Sequence, residues 1–371
     1  GKNPLSEAVY QKRSKPREED FRGPYFRDQT EIIHSLPFRR LKHKTQVFFA
    51  PENDHVCTRI EHVLHVATIA ETICKGLNRS GWELVEDLAF AIGLGHDLGH
   101  APFGHSGERE LERLNKGSFP FRHEINSYRV AEHLANSGEG LNLTWAVKDG
   151  ILCHNGESFE KTLTPSPQEK DLEKIVDRSS VPSTYEGCIV RFSDKIAYLG
   201  RDIEDAIAGE LISLDDVPER IRREIGTTNG EIINTLVIDL IHHSRDSGQI
   251  GFSEEKYDLF RMLSDFNYDN IYRHPILSRY EKYCERIIRT LYEYLMELIE
   301  SIGEDYERYA TDPETKLDRK FGHYLERMDS FYRSEGADAA RKVTDYIAGM
   351  TDGYALEAVR QITLPEPIEF P

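Results

Sequence analysis

The chain has 371 residues, of which 39% are hydrophobic, and a formal net charge of -18. This length and composition are sufficient for a buried core in one large domain or two joined domains. The negative charge argues against nonspecific binding to nucleic acid or to an acidic membrane, because the overall field repels polyanions. We therefore expect neither partner, and an anionic substrate would need a local basic pocket.

The cysteines and the apolar stretches indicate the compartment. No cysteine belongs to a paired motif, which favours reduced thiols over a disulfide framework. No apolar run at the start of the chain resembles a signal peptide, and the most apolar stretch, residues 88–94, is too short to span a bilayer. We therefore expect a cytoplasmic protein. The cysteines are Cys57, Cys74, Cys153, Cys188 and Cys284.

Apolar residues recur at helical spacing along most of the chain. Only residues 46–49 resemble a strand, and the turn-like sequence PEND follows at residues 51–54. Residues 162–182 are rich in proline and charge and predict an exposed loop. The expected fold class is therefore all-α, with at most a short β-hairpin. The predicted helical segments are residues 59–77, 82–96, 106–115, 122–136, 143–154, 185–208, 232–244, 271–302 and 336–361.

Histidine is unevenly distributed along the chain. Eleven of the 15 histidines lie at or before His154, and the pattern changes after about residue 223. We therefore predict a core over residues 1–223 that carries the chemistry. Residues 224–371 are predicted to form a C-terminal helical region that packs on this core, supports oligomerisation and completes the pocket.

Four residues have the chemistry of a divalent metal site: His62, His96, Asp97 and Asp194. They supply two nitrogens and two oxygens from three predicted helices, which leaves positions for water and substrate. Adjacent side chains on a helix point about 100° apart, so His96 and Asp97 can share a metal only at a helix end. A lone histidine is more often a hydrogen-bonded structural residue, and the prediction rests on the four residues together.

The sequences around these residues resemble a known family. The order and spacing are similar to those of the HD-superfamily deoxynucleoside triphosphate triphosphohydrolases, the dGTPase-like proteins. Two further segments, RRLKHKTQVF (residues 39–48) and DYIAGMTD (residues 345–352), extend the resemblance over nearly the whole chain. The central motifs are TRIEH (residues 58–62), GHDLGHAPFGHSGE (95–108), FRHE (121–124), ILCHNGE (151–157) and RFSDKIAYLGRDIEDA (191–206).

The resemblance implies a fold, an activity and a cofactor. It implies an HD-type helical core whose metal ligands are the same four residues that the chemistry suggests. The implied activity is hydrolysis of a deoxynucleoside triphosphate (dNTP) to deoxynucleoside and inorganic triphosphate, with one divalent ion of manganese, magnesium or iron. A dNTP activator and a homo-oligomer, a hexamer or a tetramer, are also implied.

His105 and Glu108 stand three positions apart, the spacing that puts two side chains on one helical face. A carboxylate so placed can fix the tautomer of a histidine and raise its basicity. The resemblance assigns the pair to catalysis, with His105 as the general acid that protonates the leaving 5′ oxygen while water attacks the α-phosphorus. Direct nucleophilic attack by His105 is the less favoured alternative, and without the family a hydrogen bond at a helix start would explain the pair.

Two histidines, His100 and His123, resemble phosphate contacts of the family. Arg59, three residues before His62, and Lys195, beside Asp194, are further candidate phosphate contacts because of their positions. As imidazolium donors, the two histidines would offset the charge of a triphosphate. The planar guanidinium of Arg59 suits phosphate oxygens. Structural packing is the alternative for His123, and a solvated surface position is the alternative for Arg59 and Lys195.

Tyr198 and Asp202 follow Asp194 on one slowly drifting face of a predicted helix. In the family, matching positions resemble contacts to the deoxyribose and its 3′-hydroxyl, and Gln46 resembles another contact on the sugar side. Tyr272, within FNYDNIYRHP (residues 266–275), is a further pocket candidate. Core packing is the more common role of a tyrosine at helical spacing, so Tyr198 alone would carry little weight.

The sequence departs from the family at two positions. Ala101 stands where many relatives have proline, and Glu31, within RDQTEIIHS (residues 27–35), stands where relatives commonly have arginine. The second change bears on a subunit contact or a regulatory nucleotide site rather than on the metal. Two other functions stay open: an HD phosphohydrolase acting on another phosphorylated nucleotide, and a nucleotide sensor that does not hydrolyse its ligand.

Overall fold

The structure is a computed structural model that describes residues 1–47, 56–311 and 313–365. Its described residues are mostly helical, and the predicted all-α fold class is confirmed. No helix within these ranges is both long and apolar enough to cross a lipid bilayer. The helices are α1 (Glu7–Tyr10), α2 (Pro24–Ile33), α3 (Leu36–Arg40), α4 (Arg59–Asn78), α5 (Glu86–Gly95), α6 (Gly104–Leu114), α7 (His123–Arg129), α8 (Ala135–Gly138), α9 (Trp145–Leu152), α10 (Tyr185–Ala208), α11 (Glu219–Glu224), α12 (Asn229–Ser247), α13 (Glu254–Asn267), α14 (Pro275–Ile302), α15 (Tyr306–Thr311), α16 (Lys316–Glu335), α17 (Ala339–Ala348) and α18 (Asp352–Thr363).

The extended structure is small. Strands β1 (Thr162–Leu163) and β2 (Ile250–Gly251) pair antiparallel, and they join distant segments rather than forming a hairpin. The segment predicted as an exposed loop, residues 162–182, thus contains β1 as well as a 3₁₀ helix at Leu172–Lys174. Residues 48 and 49 of the predicted strand and the whole predicted turn at 51–54 lie outside the described residues.

Two predicted helices are interrupted in the structure. The segment 122–136 begins as α7, continues as a π-helical turn at Val130–Leu134, and ends where Asn136 and Ser137 adopt left-handed backbone angles. The segment 336–361 divides into α17 and α18 because the hydroxyl of Thr351 accepts a hydrogen bond from the Tyr354 amide and starts a new helix. In both cases local capping or turn geometry overrides the apolar periodicity.

Among the described helices of ten or more residues, the sequence analysis missed three: α2, α13 and α16. It also missed the short helices α1, α3, α11 and α15. The signal for α16 was present, because its buried apolar side chains recur at helical spacing. They are interleaved with many charged residues, which obscured the pattern. The buried apolar residues of α16 are Leu317, Phe321, Leu325, Met328 and Tyr332.

Close packing of α4 against α5 and α10 brings the three predicted ligand-bearing segments together. Gly93 on α5 lies against the α4 backbone, since a Cβ at this position would be 2.7 Å from the Ala67 Cα atom. Gly99 lies two residues after Asp97, and a Cβ there would be 2.2 Å from the carbonyl carbon of Asn126. The backbone of Gly99 is fixed to α7, because its amide donates to the Ser127 hydroxyl and its carbonyl accepts from the side-chain amide of Asn126.

The buried apolar residues form two clusters that do not follow the predicted division of the chain. The first cluster contains residues of α4, α5 and α10, and also Leu236 of α12 and Leu259 of α13. The second joins Leu111 of α6 to Leu291 of α14 and to residues of α16, α17 and α18. A boundary near residue 223 stays a prediction, and both clusters contain residues from either side of it.

Candidate active site

The four predicted metal ligands converge. His62 projects from the first turn of α4, His96 and Asp97 directly follow α5, and Asp194 lies within α10. The Nε2 atoms of His62 and His96 lie 2.8 and 3.4 Å from the same Asp194 Oδ1 atom. His96 Nε2 is also 3.7 Å from Asp97 Oδ1. The end of α5 thus provides the close approach that two adjacent ligands require.

Buried polar atoms in this cluster fit a cation. The Nδ1 atom of His96 donates to the Gly93 carbonyl at 2.6 Å, which directs Nε2 toward the cluster. This Nε2 atom and His62 Nδ1 are buried without a well-formed hydrogen bond to any described residue. Burial would raise the pKa of Asp194, but the His62 and His96 imidazoles outweigh it and hold that pKa well below its usual value. A largely buried carboxylate in contact with two imidazoles is a donor set that suits a divalent metal.

Arg59 lies at the start of α4 and is almost fully buried. Its Nη1 atom donates to Asp97 Oδ2 at 2.9 Å, and Nη2 lies 3.4 Å from the Gln46 carbonyl oxygen. Its Nε atom is buried without a partner among the described residues. The guanidinium is therefore positioned between a predicted metal ligand and the segment that carries Gln46, and it faces the same cavity.

The predicted catalytic pair stands at the start of α6. His105 Nδ1 lies 3.0 Å from Glu108 Oε2, and the His105 side chain is 63% exposed whereas that of Glu108 is 7% exposed. The turn before α6 is held by Phe103, which has a left-handed backbone with φ of 62° and donates its amide to Asp352. An exposed imidazole fixed by a buried carboxylate can exchange a proton with a ligand in the cavity.

Glu108 also binds His123, and both ring nitrogens of this histidine contact other side chains. The Glu108 Oε1 atom accepts from the His123 amide at 3.0 Å and lies 3.1 Å from His123 Nδ1. His123 Nε2 lies 3.1 Å from His154 Nε2, while His154 Nδ1 donates to the Ile151 carbonyl. Burial would lower the pKa of His123, but Glu108 and Glu124 outweigh it and raise that pKa to about 9. His123 is thus a buried imidazolium, and His154, which the sequence analysis did not select, completes its contacts.

His100 differs from the imidazolium that we expected. Its ring stacks on that of His123, with ring centroids 4.8 Å apart. Burial lowers the pKa of His100 well below its usual value, and the charges of Arg59 and His123 act in the same direction. His100 is therefore neutral at pH 7, and its buried Nε2 atom has no hydrogen-bond partner within the described part of the chain.

Asp202 and Tyr272 meet at the other side of the cavity. The Tyr272 hydroxyl donates a hydrogen bond to Asp202 Oδ2, so the segment after α13 contacts α10 there. Burial raises the pKa of Asp202 to about 7. Tyr198 lies between Asp194 and Asp202 on α10 and lines the same wall. A carboxylate with two aromatic hydroxyl groups nearby can bind a ligand that carries a hydroxyl group.

Lys195 and Gln46 also face the cavity. The Lys195 ammonium lies 4.7 Å from the centre of the Phe159 ring and 3.9 Å from Glu160 Oε2, and burial lowers its pKa to about 8. The Gln46 Oε1 atom is buried without a hydrogen-bond partner in the described ranges. The Lys195 ammonium and the Gln46 side-chain oxygen therefore can still form hydrogen bonds with a ligand in the cavity.

Most of the predicted site residues line one cavity of about 390 Å³. His96 and Glu108 do not line it, and each lies behind a residue that does. The cavity wall also includes residues that the sequence analysis missed, of which four on α14 follow helical spacing: Leu277, Tyr280, Glu281 and Cys284. In the sequence, this spacing of the four α14 residues is equally typical of core packing. The predicted residues that line the cavity are Gln46, Arg59, His62, Asp97, His100, His105, His123, Asp194, Lys195, Tyr198, Asp202 and Tyr272.

Glu31, the residue that departs from the family pattern, lies on α2 and does not line the cavity. Its Oε1 atom accepts a hydrogen bond from Arg17 Nη2 at 2.7 Å. Both side chains are partly exposed, so this ion pair contributes at most about 1 kcal/mol. In this chain the carboxylate thus has an arginine partner from the N-terminal segment.

Comparisons with known proteins agree with this architecture. Residues 59–199 match the HD domain family, and residues 250–361 match the phosphohydrolase-associated domain. The chain is 39% identical to a deoxyguanosinetriphosphate triphosphohydrolase-like protein of Caldanaerobacter subterraneus subsp. tengcongensis, over 98% of this chain and 93% of that one. It is 36% identical to a protein of the same description from Desulfatibacillum aliphaticivorans, over 94% and 89% of the two chains.

A solved structure from Aquifex aeolicus, of a hypothetical protein, aligns with 86% of this chain and 70% of its own. Its TM-score of 0.40 and sequence identity of 19% are too low to inform the site. The sequence matches extend over nearly the whole chain and include both the ligand-bearing helices and the C-terminal helices. The chain therefore belongs to the family of HD-domain phosphohydrolases described as deoxyguanosinetriphosphate triphosphohydrolase-like proteins.

Proposed function

We propose that this protein hydrolyses deoxynucleoside triphosphates to deoxynucleoside and inorganic triphosphate, using one divalent metal ion. The observation that carries the proposal is the single cavity in which three groups meet. These are the metal-ligand cluster, the exposed imidazole of His105, and the hydroxyl-binding wall around Asp202. A ligand that spans them needs a phosphate chain, a scissile ester and a sugar, which together describe a nucleotide.

The ion would be held by His62, His96, Asp97 and Asp194, whose donors fit manganese, magnesium or iron. When bound, a divalent cation supplies positive charge that polarises a phosphate ester and lowers the pKa of water. The protein contributes the rigid placement of these donors by three packed segments.

His105 is the proposed general acid. Its Nδ1 atom is next to the Glu108 carboxylate, which fixes the orientation of the ring. The Nε2 proton of that ring passes to O5′ as the bond between O5′ and the α-phosphorus breaks, and water supplies the new oxygen on phosphorus. The proton that leaves the water restores the imidazolium through solvent, so the protein is unchanged after each turnover.

Arg59 and Lys195 are the proposed phosphate contacts that carry charge at pH 7. Both line the cavity and both are almost fully buried, so their charges act in a medium of low polarity. His100 also faces the cavity and is a proposed phosphate contact, as a neutral ring. The imidazolium of His123 also lines the cavity, but Glu108 and Glu124 balance its charge. The local field of Arg59 and Lys195 offsets the repulsion that a chain of net charge -18 exerts on an anionic substrate.

Tyr198, Asp202, Tyr272 and Gln46 are the proposed sugar contacts. Asp202 already accepts from the Tyr272 hydroxyl, so one carboxylate oxygen is left for a sugar hydroxyl. Gln46 brings an amide with an unused carbonyl oxygen to the same cavity. The proposal extends to a cytoplasmic homo-oligomer, a hexamer or tetramer, and to activation by a second dNTP, because the family resemblance implies these properties.

An activity matrix tests the proposal. The purified protein is incubated with each dNTP, singly and in pairs, in manganese or in magnesium, and products are separated by chromatography. We expect inorganic triphosphate and deoxynucleoside in equal amounts from at least one combination. Absence of triphosphate in every combination would refute the proposal, and release of monophosphate or pyrophosphate instead would show a different phosphohydrolase.

A further inference from the structure

Arg178 reaches the candidate site from outside its helices. It lies between α9 and α10, in the segment that the sequence predicted as an exposed loop. Its Nε atom donates to Glu124 Oε1 at 2.5 Å, and its Nη2 atom lies 3.3 Å from Glu124 Oε2 and 3.5 Å from Glu108 Oε1. The guanidinium therefore bridges two carboxylates, and both carboxylates are almost fully buried.

The segment that carries Arg178 is itself firmly attached. Lys170 forms an ion pair with Asp149 of α9 at 2.7 Å and donates to the Ser183 hydroxyl at 2.8 Å. The Ser183 amide donates to the other Asp149 oxygen at 2.6 Å. Because the segment is fixed on both sides of Arg178, the guanidinium has a defined place rather than a freely moving one.

The charges around His123 explain why an arginine is needed there. Glu108 and Glu124 both contact His123 Nδ1, at 3.1 and 3.3 Å. One imidazolium between two buried carboxylates leaves one negative charge without a buried counter-charge, which is costly in a medium of low polarity. His105 also contacts Glu108, but its side chain is 63% exposed, whereas Arg178 contacts both carboxylates and supplies the second positive charge.

The two oxygens of Glu108 share His123 Nδ1, at 3.1 and 3.2 Å, but otherwise have different partners. Oε1 accepts from the His123 amide and lies closest to Arg178 and to His123 Nδ1. Oε2 lies 3.0 Å from His105 Nδ1. The groups on Oε1 thus fix the rotation of the carboxylate and direct Oε2 toward His105. Arg178 is the member of this set that comes from a different part of the chain.

We propose that Arg178 is a positioning residue for His105: by bridging Glu124 and Glu108 it orients the Glu108 carboxylate that holds His105 through Nδ1. The catalytic part of this inference rests on the proposed function, while the structural part does not. Loss of the guanidinium frees Glu108 to rotate or to take up a proton, and His105 then loses its fixed orientation.

The tautomer of His105 tests the structural part without any substrate. In protein labelled with ¹⁵N-histidine, at a pH where the ring is neutral, we expect His105 to be protonated at Nδ1 because Glu108 accepts from that atom. Arg178→Gln should shift His105 toward the Nε2-protonated form, and Arg178→Lys, which keeps the charge but not the planar fork, should shift it less. The His105 signal is assigned by its loss in His105→Gln.

Lys174→Gln is the matched control, because Lys174 lies in the same segment and its exposed side chain pairs with Asp171 at the surface. We expect no change of tautomer in this variant. An unchanged His105 tautomer in Arg178→Gln would overturn the proposal. If Arg178→Gln does not fold, Arg178→Lys decides the question by the same measurement, and a tautomer equal to that of the wild type would overturn it.

Kinetics test the catalytic part in the full-length protein. Arg178→Gln should lower kcat about tenfold or more, as removal of outer groups around a site commonly does, with KM and metal content unchanged. In a Glu108→Gln background the same substitution should have almost no further effect, because the residue through which it acts is gone. An equal loss in both backgrounds would contradict a role through Glu108. If the wild type hydrolyses no dNTP, the proposed function fails while the tautomer result still stands.

Discussion

The His62 imidazole and the Asp194 carboxylate lie 2.8 Å apart although 132 residues separate them in the chain. Their contact closes the ligand cluster, because His96 Nε2 faces the same Asp194 oxygen. Asp194→Asn removes the negative charge while keeping the side-chain volume. We expect bound metal to fall at least about tenfold, as measured by elemental analysis of protein purified without chelator.

The matched control is Asp202→Asn, which removes a carboxylate from the same helix. Asp202 is not part of the ligand cluster, so this variant should retain the metal content of the wild type. Equal metal loss in both variants would indicate a general effect of charge on α10 and would contradict the assignment of Asp194 as a ligand.

The protein should bind one tight divalent ion per chain. A second group of potential ligands exists, since nitrogen and oxygen atoms of His100, His105, Glu108 and His123 lie within 4.8 Å of one another. The carboxylate of this group is already neutralised by the His123 imidazolium and by Arg178. A cation there would have to displace a proton from a ring whose pKa is about 9.

Titration with Mn²⁺, followed by electron paramagnetic resonance, measures this stoichiometry at pH 7. We expect one tight equivalent, which disappears in Asp194→Asn. Two tight equivalents of similar affinity would contradict the charge argument. Two equivalents that persist in Asp194→Asn would place the metal in the other cluster.

The sequence was informative where chemistry is local. The adjacent His96 and Asp97, the three-residue spacing of His105 and Glu108, and the order of the family motifs selected 14 residues, of which all but His96 and Glu108 line one cavity. Relations that depend on tertiary packing were not available from the sequence. A proline-rich and charged segment gave no sign that Arg178 would turn inward, and nothing in the pattern of α14 distinguished cavity lining from core packing.

Protonation states were likewise set by burial rather than by residue type. Both His100 and His123 were expected as imidazolium ions, but only His123 has carboxylates close enough to outweigh burial. The spacing of two histidines in a sequence cannot specify which of them will contact a carboxylate. The same limit applies to His154, whose role depends entirely on the ring it meets across the core.

Replacement of His105 by alanine should reduce kcat by about 10²- to 10⁴-fold, the usual contribution of a positioned general acid. His105 makes no contact with the ligand cluster, and its side chain is 63% exposed, so stability and metal content should be unchanged. Glu108→Gln should also lower kcat, and the double variant should lose little more than His105→Ala alone. Steady-state kinetics with elemental analysis checks this, and full activity of His105→Ala would exclude the proposed role.

The raised pKa of Asp202 predicts how its substitution changes stability with pH. Burial raises the pKa of Asp202 from 3.8 to about 7 in the folded protein. Between these values the unfolded chain loses the proton while the folded protein keeps it, so this residue makes folding less favourable as pH rises. The stabilising effect of the bound proton is complete below about pH 4 and is lost as pH rises through about 7.

Asp202→Asn removes this titration and keeps an oxygen that can accept from Tyr272. Relative to the wild type, the variant should therefore gain stability steadily from pH 4 to pH 7 and show a constant difference above pH 7. Thermal unfolding of both proteins in a series of buffers measures the difference. A difference that is independent of pH over this range would contradict a buried Asp202 with a raised pKa.

Asp352, at the start of α18, connects the C-terminal helices to both sides of the cavity. Its Oδ2 atom accepts from the Thr45 amide at 3.1 Å and from the Thr45 hydroxyl at 2.6 Å, and Oδ1 accepts from the Phe103 amide at 2.9 Å. One neighbour of Thr45 is Gln46, and Phe103 precedes the helix that carries His105. A single carboxylate thus fixes a proposed sugar contact and the proposed acid relative to each other.

Asp352→Ala leaves these donors without an acceptor in a buried position, which should reduce the free energy of unfolding by about 2 kcal/mol or more. KM should rise and kcat should fall, because the Thr45 and Phe103 segments of the cavity lose the carboxylate that holds both of them. Denaturant unfolding and steady-state kinetics check this, with Glu357→Ala, an exposed change on the same helix, as the control. If Asp352→Ala matched the control in both measurements, Asp352 would not be needed to shape the cavity, and the proposal that residues 224–371 complete the pocket would rest on lining residues such as Tyr272 and those of α14 alone.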